Sequence, residues 1–194
     1  MEFLPLRYWF KTLKAEQQRL IASNAPETHL AARHRTQKRL RETWHAAMFG
    51  HLYAQAFDLR YISLEPEPDE YAAHDATLSW VMGASAFKKR IQLKELPPTK
   101  LNATITIQQL LDSEAERAVQ AGDVTIVVFL NRAGTVREIE IPDWNYSGYW
   151  FMGFSKPDRS ELFLQGRDEL GSARIFVPHV GGGYAPDGSE IVNA

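Results

Sequence analysis

The chain contains no cysteine. That excludes disulfides, thiolate nucleophiles and every zinc or iron–sulfur site held by cysteine, and it gives no sign of an oxidising compartment. Long apolar runs are missing as well: no uncharged stretch approaches the roughly 18 residues that a membrane helix needs. The opening MEFLPLRYWFKTLKAEQQRL intersperses charge among its apolar residues, so it lacks the pattern of a signal peptide. No membrane association and a cytoplasmic location are the expectation. A basic excess is also absent. The formal net charge is −2, whereas dedicated nucleic-acid binders show a basic balance or a basic face. There is no internal repeat, no H-E-x-x-H and no G-x-S-x-G, and Gly181-Gly182-Gly183 is not followed by the Lys-Ser/Thr of a phosphate-binding loop.

What is present fits one soluble domain spanning residues 1–194, with 44% hydrophobic and 24% charged residues. The charges are unevenly placed. Residues 33–41 (RHRTQKRLR) are dense in Lys and Arg without an acid, Lys88, Lys89 and Arg90 form a second basic group, and acids crowd between Glu65 and Glu70. A local basic face or an ordinary solvated helix face are both open readings of the first cluster.

Periodicity predicts a helix over residues 5–22 and a longer one over 26–57, where proline suits the first turn. The apolar stripe of the second helix is Leu40, Trp44, Ala47, Met48, His51, Leu52 and Gln55. A strand is expected over residues 59–64, then a proline-broken acidic loop. Residues 76–82 and 89–96 read as a hairpin, stopped by Pro97-Pro98. TIQQLLDSEAERAVQAG reads as a third helix, with Thr106 as N-cap and Gly122 as its stop. VTIVVFL, at 124–130, reads as a central strand buried on both faces. VREIEIP and residues 149–154, 161–165 and 173–177 are further short strands, and 181–194 is a flexible tail. The helix between the hairpin and VTIVVFL is expected to be a crossover that places its two flanking strands parallel. The fold class is α/β, bordering on α+β: a mixed central sheet flanked by helices.

The chemistry lies in the hairpin. Asp75 opens HDATLSWVMG, and Gln92 and Lys94 sit in KKRIQLKELPP. In both runs the polar members alternate with apolar ones, so each strand carries its chemistry on one face. An acid, a second oxygen ligand and a lysine on one sheet face can hold a divalent cation beside a phosphate.

A long helix, a three-stranded meander carrying Asp and then Gln-x-Lys, a crossover helix and a buried strand together resemble the PD-(D/E)XK superfamily, the restriction-endonuclease-like fold. The resemblance covers residues 26–130, with 131–180 as additional strands and an aromatic cluster. It implies that Asp75, Gln92 and Lys94 are catalytic, that Asp75 and Gln92 ligate Mg²⁺ or Mn²⁺, and that the substrate is DNA, in a setting of bacterial defence or DNA processing. Two departures stand out. His74 replaces the motif's proline, and Gln92 replaces its acid, as in the Gln-x-Lys pattern of Mrr-type nucleases. An amide oxygen ligates a hard cation less strongly than a carboxylate does. The superfamily's further acid on the first helix corresponds to Glu42, which helical geometry puts about 160° from the centre of the apolar stripe, facing solvent. Glu65, Glu67 and Glu70 are alternative sources of a carboxylate, and His51 and Gln55 are the polar residues expected on the core side.

The competing implication is a nuclease-like fold that does not cut and serves as a protein- or nucleic-acid-binding module. Gln92, the net charge and the aromatic-rich C-terminal third favour it. In that third, Trp144, Tyr146, Tyr149, Trp150, Phe151 and Phe154 are either a stacking platform, a protein-binding patch or plain core. His34 and His45 are too far apart along one helix to share an ion.

Overall fold

The computed structural model describes residues 4–22, 35–69, 72–99, 102, 104–117, 122–132 and 139–178. The start of the second expected helix, the first part of VREIEIP, Glu70, His34 and the expected tail lie outside the described residues. The elements in chain order are β1 (Leu4–Pro5), α1 (Leu6–Ala22), α2 (Arg35–Ala56), β2 (Ser63–Pro66), β3 (Ala76–Met82), β4 (Ser85–Leu96), α3 (Ile107–Arg117), β5 (Val124–Leu130), β6 (Gly148–Phe154), β7 (Glu161–Asp168) and β8 (Gly171–Pro178).

The eight strands form one sheet in which every strand neighbours the next in sequence. β4–β5 and β5–β6 are parallel, and the other pairings are antiparallel. The protein is thus an α/β domain with a mixed sheet. The expected crossover is present: α3 carries the chain from the end of β4 to the start of β5, and the two strands run in register from Arg90↔Val124 to Leu96↔Leu130.

Side-chain alternation splits the core into two layers. On one face, α1 and α2 pack Phe10, Phe49, Leu52 and Tyr53 onto Leu64, Leu78, Trp80, Ile91, Leu93, Val127, Phe129 and Trp150. On the other, α3 sets Leu110 and Leu111 on Leu96, Ile126, Val128, Leu130 and Phe151. β5 is covered on both faces and buried at every residue, as its β-branched run predicts. Close packing between β6 and β7 depends on Gly166, opposite Trp150 in register. A Cβ there would lie 2.1 Å from the Tyr149 carbonyl oxygen.

Local signals explain most boundaries. Thr106 and Gln109 form a reciprocal cap on α3: the Gln109 N–H donates to Thr106 Oγ1 at 3.1 Å, and the Thr106 N–H to Gln109 Oε1 at 2.9 Å. Gly122, with φ +52°, turns the chain into β5. One expected strand and two expected boundaries are corrected. The described part of VREIEIP, residues 139–142, is irregular and pairs with no described strand. Residues 57–62 are a turn rather than a strand, with Asp58 and Tyr61 at positive φ, so β2 starts at Ser63. β4 begins at Ser85, four residues before the expected start. Its polar first residues pair with β3 from Met82↔Ser85 onward, around a tight turn with Gly83 at φ +62°. No helix among the described residues is long and apolar enough to cross a membrane.

Candidate functional site at the head of the hairpin

Asp75 stands one residue ahead of β3 and is fixed through its main chain. Its N–H donates to the Ile91 carbonyl at 2.8 Å, and its carbonyl accepts from the Glu67 N–H at 2.9 Å. The carboxylate reaches across to β4, where Oδ2 accepts the Leu93 N–H at 2.6 Å. Ile91 and Leu93 point into the α2 layer. Gln92 and Lys94 therefore share the opposite face, the one α3 packs against.

Each of the two is held. Gln92 Oε1 accepts the Tyr146 hydroxyl at 2.6 Å. Lys94 Nζ lies 2.9 Å from Oε2 of Glu114, a carboxylate that α3 buries to 3% side-chain exposure. Lys94 also acts on Asp75 as one of the positive charges in its field. Burial raises the Asp75 carboxyl above its ordinary range, against the opposing effects of the Leu93 hydrogen bond and the charges of Lys94, Lys38 and His74.

Glu42 corrects the sequence reading. It does not face open solvent: its side chain is 27% exposed and ion-pairs with Lys38 at 3.5 Å. Its carboxyl is raised first by burial and then by the negative charge of Asp75, with Lys38 and Arg41 opposing. The N-terminal turns of α2 lie at the head of the hairpin, where Arg41 pairs with Glu95 at 3.1 Å and Arg39 reaches the Glu67 carbonyl. There the flank of the helix, rather than its apolar stripe, meets the sheet.

The residues around this pair are placed as follows. His74 Nε2 sits 3.2 Å from Glu67 Oε2. Both line an open cleft of about 560 Å³ with Glu65, Thr77, Lys88 and Arg90. His51 and Gln55 are on the core side of α2 as expected, bonded to each other at 3.2 Å. Burial lowers His51 to about 4 and His45 to about 3, so both rings are neutral. The second basic group is not a uniform basic face. Lys89 is buried and ion-paired to Asp168 and Glu169, and Arg90 pairs with Asp123. Among the described residues no group of three or more His, Cys, Asp or Glu side chains could hold a metal.

Glu114 was missed from sequence, and Tyr146 was read only as one of the aromatic cluster, not as the partner of Gln92. The first had a signal: Glu114 follows Leu110 and Leu111 at three- and four-residue spacing, on the inward stripe of its helix. Tyr146 had none, because an irregular segment delivers it to Gln92 from 54 residues away.

Compared with known proteins, the chain matches no protein-family model, no curated protein and no solved structure. Fold and site together define an α/β domain in which Asp75 reaches the Leu93 N–H of β4, Lys94 and Glu42 are in electrostatic range of Asp75, and Gln92 shares the Lys94 face of the strand.

Proposed function

We propose that the protein is a divalent-metal-dependent nuclease of restriction-endonuclease-like fold that hydrolyses phosphodiester bonds of DNA. The observation that carries the reading is the Asp75 carboxylate seated 2.6 Å from the Leu93 N–H, between Gln92 and Lys94 of β4 and in the field of Lys94. The order of α2, the β2–β4 meander, α3 and parallel β5 supports it further.

The donor set of Asp75, Glu42 and the Gln92 amide is all oxygen, which suits Mg²⁺ or Mn²⁺ rather than a soft ion. Such an ion, when bound, supplies Lewis acidity and a water of lowered pKa. The chain's own residues prepare for that charge. Two half-buried carboxyls ionise at a cost, and a cation is the partner that removes it. Tyr146 fixes the direction of the Gln92 oxygen. Lys94, oriented by Glu114, offers N–H donors where negative charge grows on a phosphate. The test is incubation of purified protein with plasmid, single-stranded DNA and RNA under Mg²⁺ and Mn²⁺. Wild type cuts and Lys94→Ala does not; equal inertness of the two on every substrate and with both metals overturns the proposal.

A second reading has its own observation. The Tyr146 hydroxyl on Gln92 and the buried Glu114 on Lys94 already satisfy the groups that would meet metal and phosphate. That arrangement suits a binding module on the same fold, since folds are reused without their chemistry. Calorimetric Mn²⁺ titration separates the two: binding lost in Asp75→Ala supports the nuclease, and silence supports the module.

A further inference from the structure

From Phe151, which α3 still covers, the same sheet face continues across β6, β7 and β8 and becomes progressively open, to Phe176. Register lines them up in cross-strand rows: Tyr149 beside Arg167 and Ser172, Phe151 beside Gln165 and Arg174, Phe163 beside Phe176. A cleft of about 620 Å³ lies over this surface. Among the described residues its lining includes Arg167 and Arg174 and no acid. Neither arginine is in an ion pair with another described residue. The Arg167 guanidinium sits 5.5 Å from the Tyr149 ring centroid, and that of Arg174 5.5 Å from Phe176. Phe176 is 50% exposed, a large aromatic left open to water.

We infer that this face binds a nucleic-acid strand with unpaired bases. The charge calls for an anionic partner, since two exposed cations with no acid beside them among the described lining residues attract phosphates. The rings call for bases. Every base has a π-face, so aromatic rows accept successive bases without regard to sequence, while guanidinium groups meet phosphate oxygens through paired N–H donors. Those π-faces are hidden inside a duplex, which makes a single strand the fitting form. Position agrees: in register, the Arg167–Tyr149 row continues through Ile126 of β5 to Gln92 of β4. The inference deepens the nuclease reading by naming its substrate form, but the binding step is measurable without cleavage.

The experiment is fluorescence anisotropy of a labelled single-stranded oligonucleotide of about 15 nucleotides, in EDTA so that no cutting intervenes. Wild type binds. Arg167→Glu with Arg174→Glu, both at exposed positions, abolishes binding with an unchanged melting temperature. Phe176→Ala weakens it roughly fivefold to a hundredfold, as loss of one stacked base does. Arg174→Ala lowers the slope of log affinity against log salt by about 0.7, one phosphate contact. Affinity unchanged in the double arginine variant overturns the inference, whether or not the protein cuts DNA. Duplex bound as tightly, and with the same arginine dependence, overturns the commitment to unpaired bases. No oligonucleotide binding at all also overturns it and leaves the face to a protein partner. Arginine-dependent binding without cleavage under Mg²⁺ or Mn²⁺ sinks the nuclease reading alone.

Discussion

The Lys89 ammonium lies 3.1 Å from the Asp168 carboxylate, with the two side chains only 2% and 0% exposed. Asp168 Oδ2 also accepts the Tyr53 hydroxyl at 2.8 Å and the Trp150 Nε1–H at 2.9 Å, and Oδ1 accepts the Leu170 N–H. One carboxylate therefore ties α2, β4, β6 and the end of β7 together. The Tyr53 hydroxyl is pushed above its ordinary range by burial and by the charge of Asp168, so it stays a donor. Gly148 makes room for the arrangement: a Cβ there would stand 2.4 Å from that of Asp168.

Breaking such a pair from one side strands a buried charge. Asp168→Ala or Lys89→Met is expected to cost about 3–5 kcal/mol in urea denaturation. The double replacement Lys89→Met with Asp168→Asn is expected to recover much of that, because no charge is left unpaired and the amide oxygen still accepts from Tyr53 and Trp150. Single variants within about 1 kcal/mol of wild type would show that the network contributes little, the outcome usual for exposed pairs.

Glu42 and Asp75 run the other way, as a site that weakens the fold. Both carboxyls hold a proton more tightly in the folded chain than in the unfolded one. The stability this confers is present in full below the ordinary carboxyl range and is lost as pH rises through the raised folded values. At neutral pH the ionised pair is a burden. Asp75→Asn, which keeps an oxygen for the Leu93 N–H, and Glu42→Gln should each raise the melting temperature at neutral pH. Neither should do so in acid below about pH 4. If the two variants melt below wild type at neutral pH, the coupling is not what sets their environment.

His45 and His51 give the opposite slope. Their folded values, about 3 and about 4, lie below the ordinary 6.5. They contribute stability above pH 6.5 that is lost as pH falls toward the depressed values, because unfolding then takes up protons. His45 stacks against Phe129 with ring centroids 4.2 Å apart. Replacing it in His45→Phe, or His51 in His51→Gln, should flatten the acid limb of a stability–pH curve by up to about 1.4 kcal/mol per pH unit. An unchanged acid limb in both variants would mean that neither ring is neutral in the fold.

The fold was legible where local chemistry and tertiary packing agree. The capped α3, the apolar β5 and the alternating β3 are all readable from spacing alone. The readings failed where packing overrode pattern. Lys89 reads as one of a basic group with Lys88 and Arg90, and only a carboxylate 79 positions later, at 168, explains its burial. The first residues of β4 are too polar to read as strand, and their partner β3 supplies the pairing. Glu42 was placed by its angle from the apolar stripe, an argument that fails at the end of a helix, where the flank meets another element. Alternation picks out Asp75, Gln92 and Lys94 as candidates, whereas the residues that contact two of them, Tyr146 and Glu114, are long-range partners.

The substitution that bears most directly on the nuclease reading restores the acid that the Gln-x-Lys pattern lacks. Gln92→Glu keeps the shape of the side chain, and the Tyr146 hydroxyl, a donor at 2.6 Å, can donate to a carboxylate as readily as to an amide oxygen. A further negative charge on β4, next in sequence to the Leu93 N–H that Asp75 accepts, should lower stability in the metal-free protein, because like charges in a half-buried site oppose one another's ionisation. With Mn²⁺ or Mg²⁺ present the same charge becomes a ligand, and affinity should rise about tenfold, since hard cations favour carboxylates. The signature is therefore a crossing: the variant melts below wild type in EDTA and gains more on metal addition. If the variant is folded but gains nothing from either metal, Gln92 is not at a cation site, and the non-cutting module becomes the better account of the hairpin.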